Sequence, residues 1–156
     1  MGEIGTVLDQ PEMNRPTRPC PVRGSRIELD DVTFSYGDVP VLKGVTLSIA
    51  PGSMVALVGP SGSGKSTVAK LIASQWEAAG GAVRIGGSDV RDMPLSQVAD
   101  AIAYVAQDNY LFDDTVMENI RMGRPGASDE EVVAVAKASG CHEFIEALEH
   151  GYRTVV

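Results

Sequence analysis

The strongest constraint on this chain is the run Gly59-Pro60-Ser61-Gly62-Ser63-Gly64-Lys65-Ser66, which fits the spacing G-x-x-x-x-G-K-[ST]. Its flanks matter as much as its letters. Before it, Met54-Val55-Ala56-Leu57-Val58 is apolar without alternation, the pattern of a strand buried on both faces, and predicts the centre of a parallel sheet. After it, Val68, Leu71, Ile72 and Gln75 share one face at helical spacing until Gly80-Gly81, which predicts a helix over 65–76. A strand, a glycine-rich turn and a helix in that order make a loop whose N–H groups curl inward as an anion nest, with the positive end of the helix behind them. The chain is thereby directed to an α/β fold organised around a phosphate-binding loop.

The ligand that suits such a loop is a triphosphate. Backbone groups of Gly59, Pro60, Ser61, Gly62, Ser63 and Gly64 cradle it, and Lys65 reaches the β- and γ-phosphates. The Ser66 hydroxyl ligates Mg²⁺ together with those phosphates, and Thr67 hydrogen-bonds the α-phosphate. A solvated lysine at a helix start is the plain alternative for Lys65, and the strand–loop–helix context argues against it.

Charge narrows the partners. Thirteen Lys and Arg against 21 Asp and Glu give a formal charge of −8, so the basic field that duplex nucleic acid requires is missing and nucleic acid is excluded as an expected partner. The long uncharged stretch over 44–64 is interrupted by Pro51, Gly52, Ser53 and Pro60, which rules against a transmembrane helix. Cys20 and Cys141 have no paired spacing, and no secretory signal opens the chain; both point to a reducing, cytoplasmic compartment. Met1-Gly2-Glu3-Ile4-Gly5-Thr6 formally fits M-G-x-x-x-[ST], a pattern short enough to arise by accident.

Arg15, Arg18, Arg23 and Arg26, together with Pro16, Pro19 and Pro21, mark a linker, and a domain is expected to begin at residue 25. Ile27-Glu28-Leu29, Val32-Thr33-Phe34-Ser35-Tyr36 and Val45-Thr46-Leu47-Ser48-Ile49 alternate as half-buried antiparallel strands do. Further strands are expected at 82–85 and 102–106, and short helices over 94–101, 114–122 and 142–149. Ser128-Asp129-Glu130-Glu131 is a capping-box start for a helix of about ten residues ending before Gly140.

With Tyr36 before the loop and Gln107 after it, the chain resembles the nucleotide-binding domain of ATP-binding cassette transporters, in the exporter branch. Tyr104-Val105-Ala106-Gln107-Asp108 is similar to that family's Q-loop, and Leu111-Phe112-Asp113-Asp114-Thr115-Val116-Met117-Glu118-Asn119-Ile120 and His142-Glu143-Phe144-Ile145 to its exporter members. The resemblance implies a P-loop NTPase core with an N-terminal antiparallel β-subdomain and the start of a helical subdomain, incomplete within these residues. It implies ATP and Mg²⁺ as ligands, Tyr36 stacking on adenine, and Gln107 near Mg²⁺ and the attacking water, a catalytic role shared with Lys65. It implies residues 1–24 as a linker from a transmembrane domain, with Glu3-Ile4-Gly5-Thr6-Val7-Leu8-Asp9-Gln10-Pro11-Glu12 as the connector. Residues 25–156 become the N-terminal two-thirds of the domain, at the cytoplasmic face of the cell membrane, partnered by the transmembrane domain and a second nucleotide-binding domain in a homo- or heterodimer.

The family's L-S-G-G-Q signature, its Walker B aspartate with the adjacent glutamate, and its switch histidine do not occur in these 156 residues. Leu29-Asp30-Asp31 and Leu111-Phe112-Asp113-Asp114 mimic a Walker B without its apolar run, and His142 and His150 are expected on helix surfaces. The expectation is therefore binding without turnover. A P-loop kinase or GTPase would leave Tyr36 and Gln107 unexplained, and no N-K-x-D is present. A non-catalytic nucleotide-binding module or a truncated gene remnant is the remaining alternative.

Overall fold

Two alternating stretches of sequence, on either side of Asp30-Asp31, become one strand, β1 (Ile27–Tyr36). Leu29 pairs with Leu47 and Val32 with Val45, so β1 spends one residue more than its partner, β2 (Val39–Ile49), between those two pairs. That extra residue is a β-bulge, and Asp31 carries the positive φ of 48° within it. The bulge switches which parity faces inward, which is why Leu29 and then Val32 and Phe34 are all buried. β3 (Gly80–Ile85) lies on the other side of β1, and β4 (Ser88–Asp89) follows a tight turn, giving an antiparallel sheet in the order β2-β1-β3-β4. The expected antiparallel β-subdomain is present.

The computed structural model describes residues 14–108 and 110–156, so the M-G-x-x-x-[ST] match at 1–6 and the expected connector at 3–12 lie outside the described residues. The chain divides into two units, Met1–Tyr104 and Val105–Val156. In the first, α1 (Lys65–Ile72) buries Val68 and Leu71 among Leu29, Val32, Phe34, Leu42, Val83 and Ile85. α2 (Leu95–Ala101) adds Val98, and the preceding 3-10 turn adds Val90 and the fully buried Met93.

The arginine- and proline-rich segment at 14–24 runs along this unit and is bonded to it. Cys20 and Gln97 exchange two hydrogen bonds, at 3.0 and 2.7 Å, Arg23 N–H donates to Gly86 O at 3.0 Å, and Ser88 Oγ donates to Pro21 O at 2.6 Å. Arg15, with its side chain only 6% exposed, donates to Ser74 Oγ at 2.9 Å and to Val90 O, and pairs with Glu77 at 3.1 Å. A linker composition has thus become a docked strap.

Two expected strands do not form ladders. Residues 54–58 and 102–106 carry no strand assignment, and Met54 at 100% and Val58 at 92% exposure face solvent. The physical reason is pairing. Apolar β-formers become a strand only when neighbours take up their N–H and C=O groups, and among the described residues no ladder includes these segments.

The second unit is helical: α3 (Val116–Arg121), α4 (Asp129–Ala138) and α5 (His142–Glu146) close around Val132, Ala136, Ile145 and Tyr152. α3 and α5 are shorter than their sequence patterns because local bonding sets their ends. Thr115 Oγ1 accepts from Glu118 N–H at 3.1 Å, which starts α3 after Asp114, and α5 ends where the bonding tightens, Leu148 N–H donating to Ile145 O at 3.1 Å. α4 has the expected extent, and both halves of its capping box are made. Arg121 ties α3 to α4 through Asp129 Oδ1 at 2.5 Å and Ala127 O.

Candidate functional site

The site grows from the start of α1. Gly64 is the N-cap residue, with φ 88° in the left-handed region, and a Cβ placed there would lie 2.6 Å from Leu42 Cδ2. Only glycine supplies that φ at no cost while letting the loop press against β2. Its carbonyl accepts the first helical bond, from Val68 N–H at 2.9 Å. The N–H groups of Lys65, Ser66 and Thr67 then stand in the first turn, where a helix provides them no acceptor of its own.

Lys65 curls back over the loop. Its Nζ donates to Gly59 O at 3.0 Å, Pro60 O at 2.7 Å and Ser63 Oγ at 3.3 Å, while Ser63 N–H donates to Pro60 O at 3.3 Å. Three neutral oxygens therefore hold an ammonium directly over the residues expected to cradle phosphate, Gly59, Pro60, Ser61, Gly62 and Ser63, all of them exposed. An anionic oxygen makes a shorter and stronger hydrogen bond to that ammonium than a carbonyl does, so the geometry is poised for exchange of partners. Ser66 presents an exposed hydroxyl in the first turn, a hard oxygen of the kind Mg²⁺ accepts alongside phosphate oxygens and water. Among the described residues no cluster of three or more His, Cys, Asp or Glu could hold a metal.

Thr67 is buried, and its Oγ1 lies 3.4 Å from the Tyr36 hydroxyl. The residues expected at adenine and at the α-phosphate are thus brought together by the packing of β1 on α1. Tyr36, 39% exposed, is also met edge-on by two further rings: Phe34 at 4.8 Å and Trp76 at 5.5 Å between centroids, with interplanar angles of 87° and 89°. Trp76 was not among the residues that motif spacing singles out. Its usable signal is that it is the sole tryptophan, placed just beyond the helix that opens with Lys65.

Gln107 belongs to the second unit, where it is exposed in the segment that leads to Tyr110 and Phe112, whose rings meet edge to face. The acidic pairs that mimic a Walker B have structural work. Asp30 binds Arg84 at 3.2 Å and Asp31 sits in the bulge, whereas Asp114 Oδ1 accepts from Thr115 N–H at 2.6 Å. His142, expected on a helix surface, is instead half-buried with Nδ1 3.0 Å from the Tyr152 hydroxyl.

Comparison with known proteins agrees with this geometry. A family model described as ABC transporter matches residues 42–153. The chain is 45% identical over 141 residues to a protein of Staphylococcus aureus named as a multidrug export ATP-binding/permease protein, covering 89% of this chain and 24% of that one. It is 47% identical over 131 residues to the ABC transporter ATP-binding protein YknV of Bacillus subtilis, covering 83% of this chain and 22% of that one. Among solved structures, a bacterial Atm1-family ABC exporter with ATP bound superposes with a TM-score of 0.89 at 38% identity, over 99% of this chain and 28% of that one. The chain spans about a quarter of the length of these relatives.

Proposed function

The chain belongs to the ABC transporter family, and on that premise we propose that it is the ATP-binding part of an exporter ATPase that couples Mg-ATP to transport across a membrane. The observation that carries the reading is the loop itself, with Lys65 Nζ held over Gly59 and Pro60 at the opening of α1. Lys65 binds the β- and γ-phosphates, Ser66 holds Mg²⁺ with them, Thr67 takes the α-phosphate, and Tyr36 stacks on adenine. Gln107 serves near the metal and the attacking water, and its segment meets the membrane domain. Residues 1–24 form the linker from that domain and residues 25–156 the N-terminal two-thirds of the nucleotide-binding domain, at the cytoplasmic face of the cell membrane. A second nucleotide-binding domain, identical or not, completes the site.

The names of the relatives support export as the direction, and the description of the superposed exporter supports ATP as the ligand. Hydrolysis needs a carboxylate base and a signature loop from a second subunit, and these 156 residues contain neither motif. Assayed alone, the chain binds ATP and releases no phosphate. The deciding experiment is Lys65→Ala with equilibrium binding of ATP: affinity should fall more than about tenfold, given the charge-assisted bonds removed. Unchanged affinity would overturn the reading.

A further inference from the structure

α1 does not end by fraying. Ser74, buried and at φ 57°, occupies the left-handed position after the helix; its N–H donates to Leu71 O at 3.1 Å, and Gln75 N–H donates to Lys70 O at 2.9 Å. That pair of bonds is a Schellman motif built on serine where glycine is usual. It turns the chain sharply enough to lay Trp76 against Tyr36, with Phe34 behind both at 4.8 and 6.0 Å. Trp76 stays 46% exposed, so the turn spends a strained serine to place a large ring at the surface beside Tyr36.

A tyrosine at the end of a strand is free to swing about its side-chain torsions unless something holds it. Here three contacts do: the hydroxyl on Thr67, the edge of Phe34 and the edge of Trp76. We propose that Trp76 is a positioning residue for the base platform, holding the Tyr36 ring in the attitude in which it receives adenine. The proposal rests on Tyr36 being that platform. Phe34 is buried and belongs to the core, and Thr67 belongs to the phosphate side. Trp76 is therefore the contact whose loss would alter base recognition and leave phosphate recognition intact.

The test compares ATP with inorganic tripolyphosphate, by calorimetric titration, on the chain and on Trp76→Ala, Trp76→Phe and Tyr36→Ala. Trp76→Ala should weaken ATP about 3- to 10-fold, as loss of one edge-to-face ring contact would, and leave tripolyphosphate unchanged. Trp76→Phe should restore most of the difference. Equal effects on both ligands, or none on either, overturn the role of Trp76. If Tyr36→Ala leaves the ratio of ATP to tripolyphosphate affinity unchanged, the platform reading itself fails, whatever Trp76 does. Should Trp76→Ala not fold, the unmodified chain still decides. As its sole tryptophan, Trp76 should change its emission on adding ATP and not on adding tripolyphosphate, and an emission indifferent to ATP counts against the proposal.

Discussion

At Gly64 the difference between a formed loop and a blocked one is a methyl group. Replacement by alanine places Cβ 2.6 Å from Leu42 Cδ2 and forces a left-handed φ of 88° on a residue that resists it. Gly64→Ala should cost about 1–3 kcal/mol in a denaturant titration and lower ATP affinity with it, because the first turn of α1 must move away from β2. A denaturation midpoint equal to that of the unmodified chain would show that the loop relaxes freely. Lys65 differs in kind: it is tied to loop oxygens and not to the core. Its loss should spare the midpoint while abolishing binding.

At the scale of elements, the caps and the strap carry separable amounts of stability. Ser128→Ala removes the acceptor for Glu131 N–H and should cost about 1 kcal/mol, read as a lower melting temperature. The other half of that box is sensitive to pH. The Ser128 N–H on its carboxylate, with the Arg124 guanidinium next, holds Glu131 below the ordinary glutamate value. A carboxyl depressed in the folded state lends stability that is present above its unfolded value and lost as pH falls through the folded one. Lowering pH from 7 through the carboxylate range should therefore erode the stability of α4, and Glu131→Gln should flatten that dependence. Arg15→Ala breaks a largely desolvated arginine away from Ser74, Val90 and Glu77, and should cost about 1–3 kcal/mol while loosening 14–24 to proteolysis. These two elements also show what the sequence made legible. Ser128-Asp129-Glu130-Glu131 announces its helix because the cap is local, Ser128 and Glu131 satisfying each other across three residues. Arg15 reads as linker because its partners lie 59 and 75 residues away, and no spacing rule reports so distant a cavity. α1 ends at Ile72, short of the expected 76, for the same reason: Ile72 and Gln75 keep the helical face while Ser74, bonded to Arg15, breaks the helix.

Over the whole molecule, pattern and pairing part company at residues 54–58 and 102–106. An unbroken apolar run describes the environment a segment suits, two buried faces within a parallel sheet, and says nothing of whether neighbours are present. The phosphate loop keeps its shape without them because Gly64, Val68 and Leu42 fix it from the α1 side. The two segments themselves have no such support, and Met54, Val58 and Val105 remain at 100%, 92% and 87% exposure. Local stability should follow the same division. In hydrogen exchange read by mass spectrometry, amides of β1 and β3 should be protected, whereas those of 55–58 and 103–105 should exchange at nearly the rate of an open chain. In a longer form of the protein that supplies a neighbouring strand, the latter amides should become as slow as those of β1, with β1 itself unchanged. Strong protection of 55–58 in the 156-residue chain would mean that these segments pair between molecules, and the protection should then rise with protein concentration.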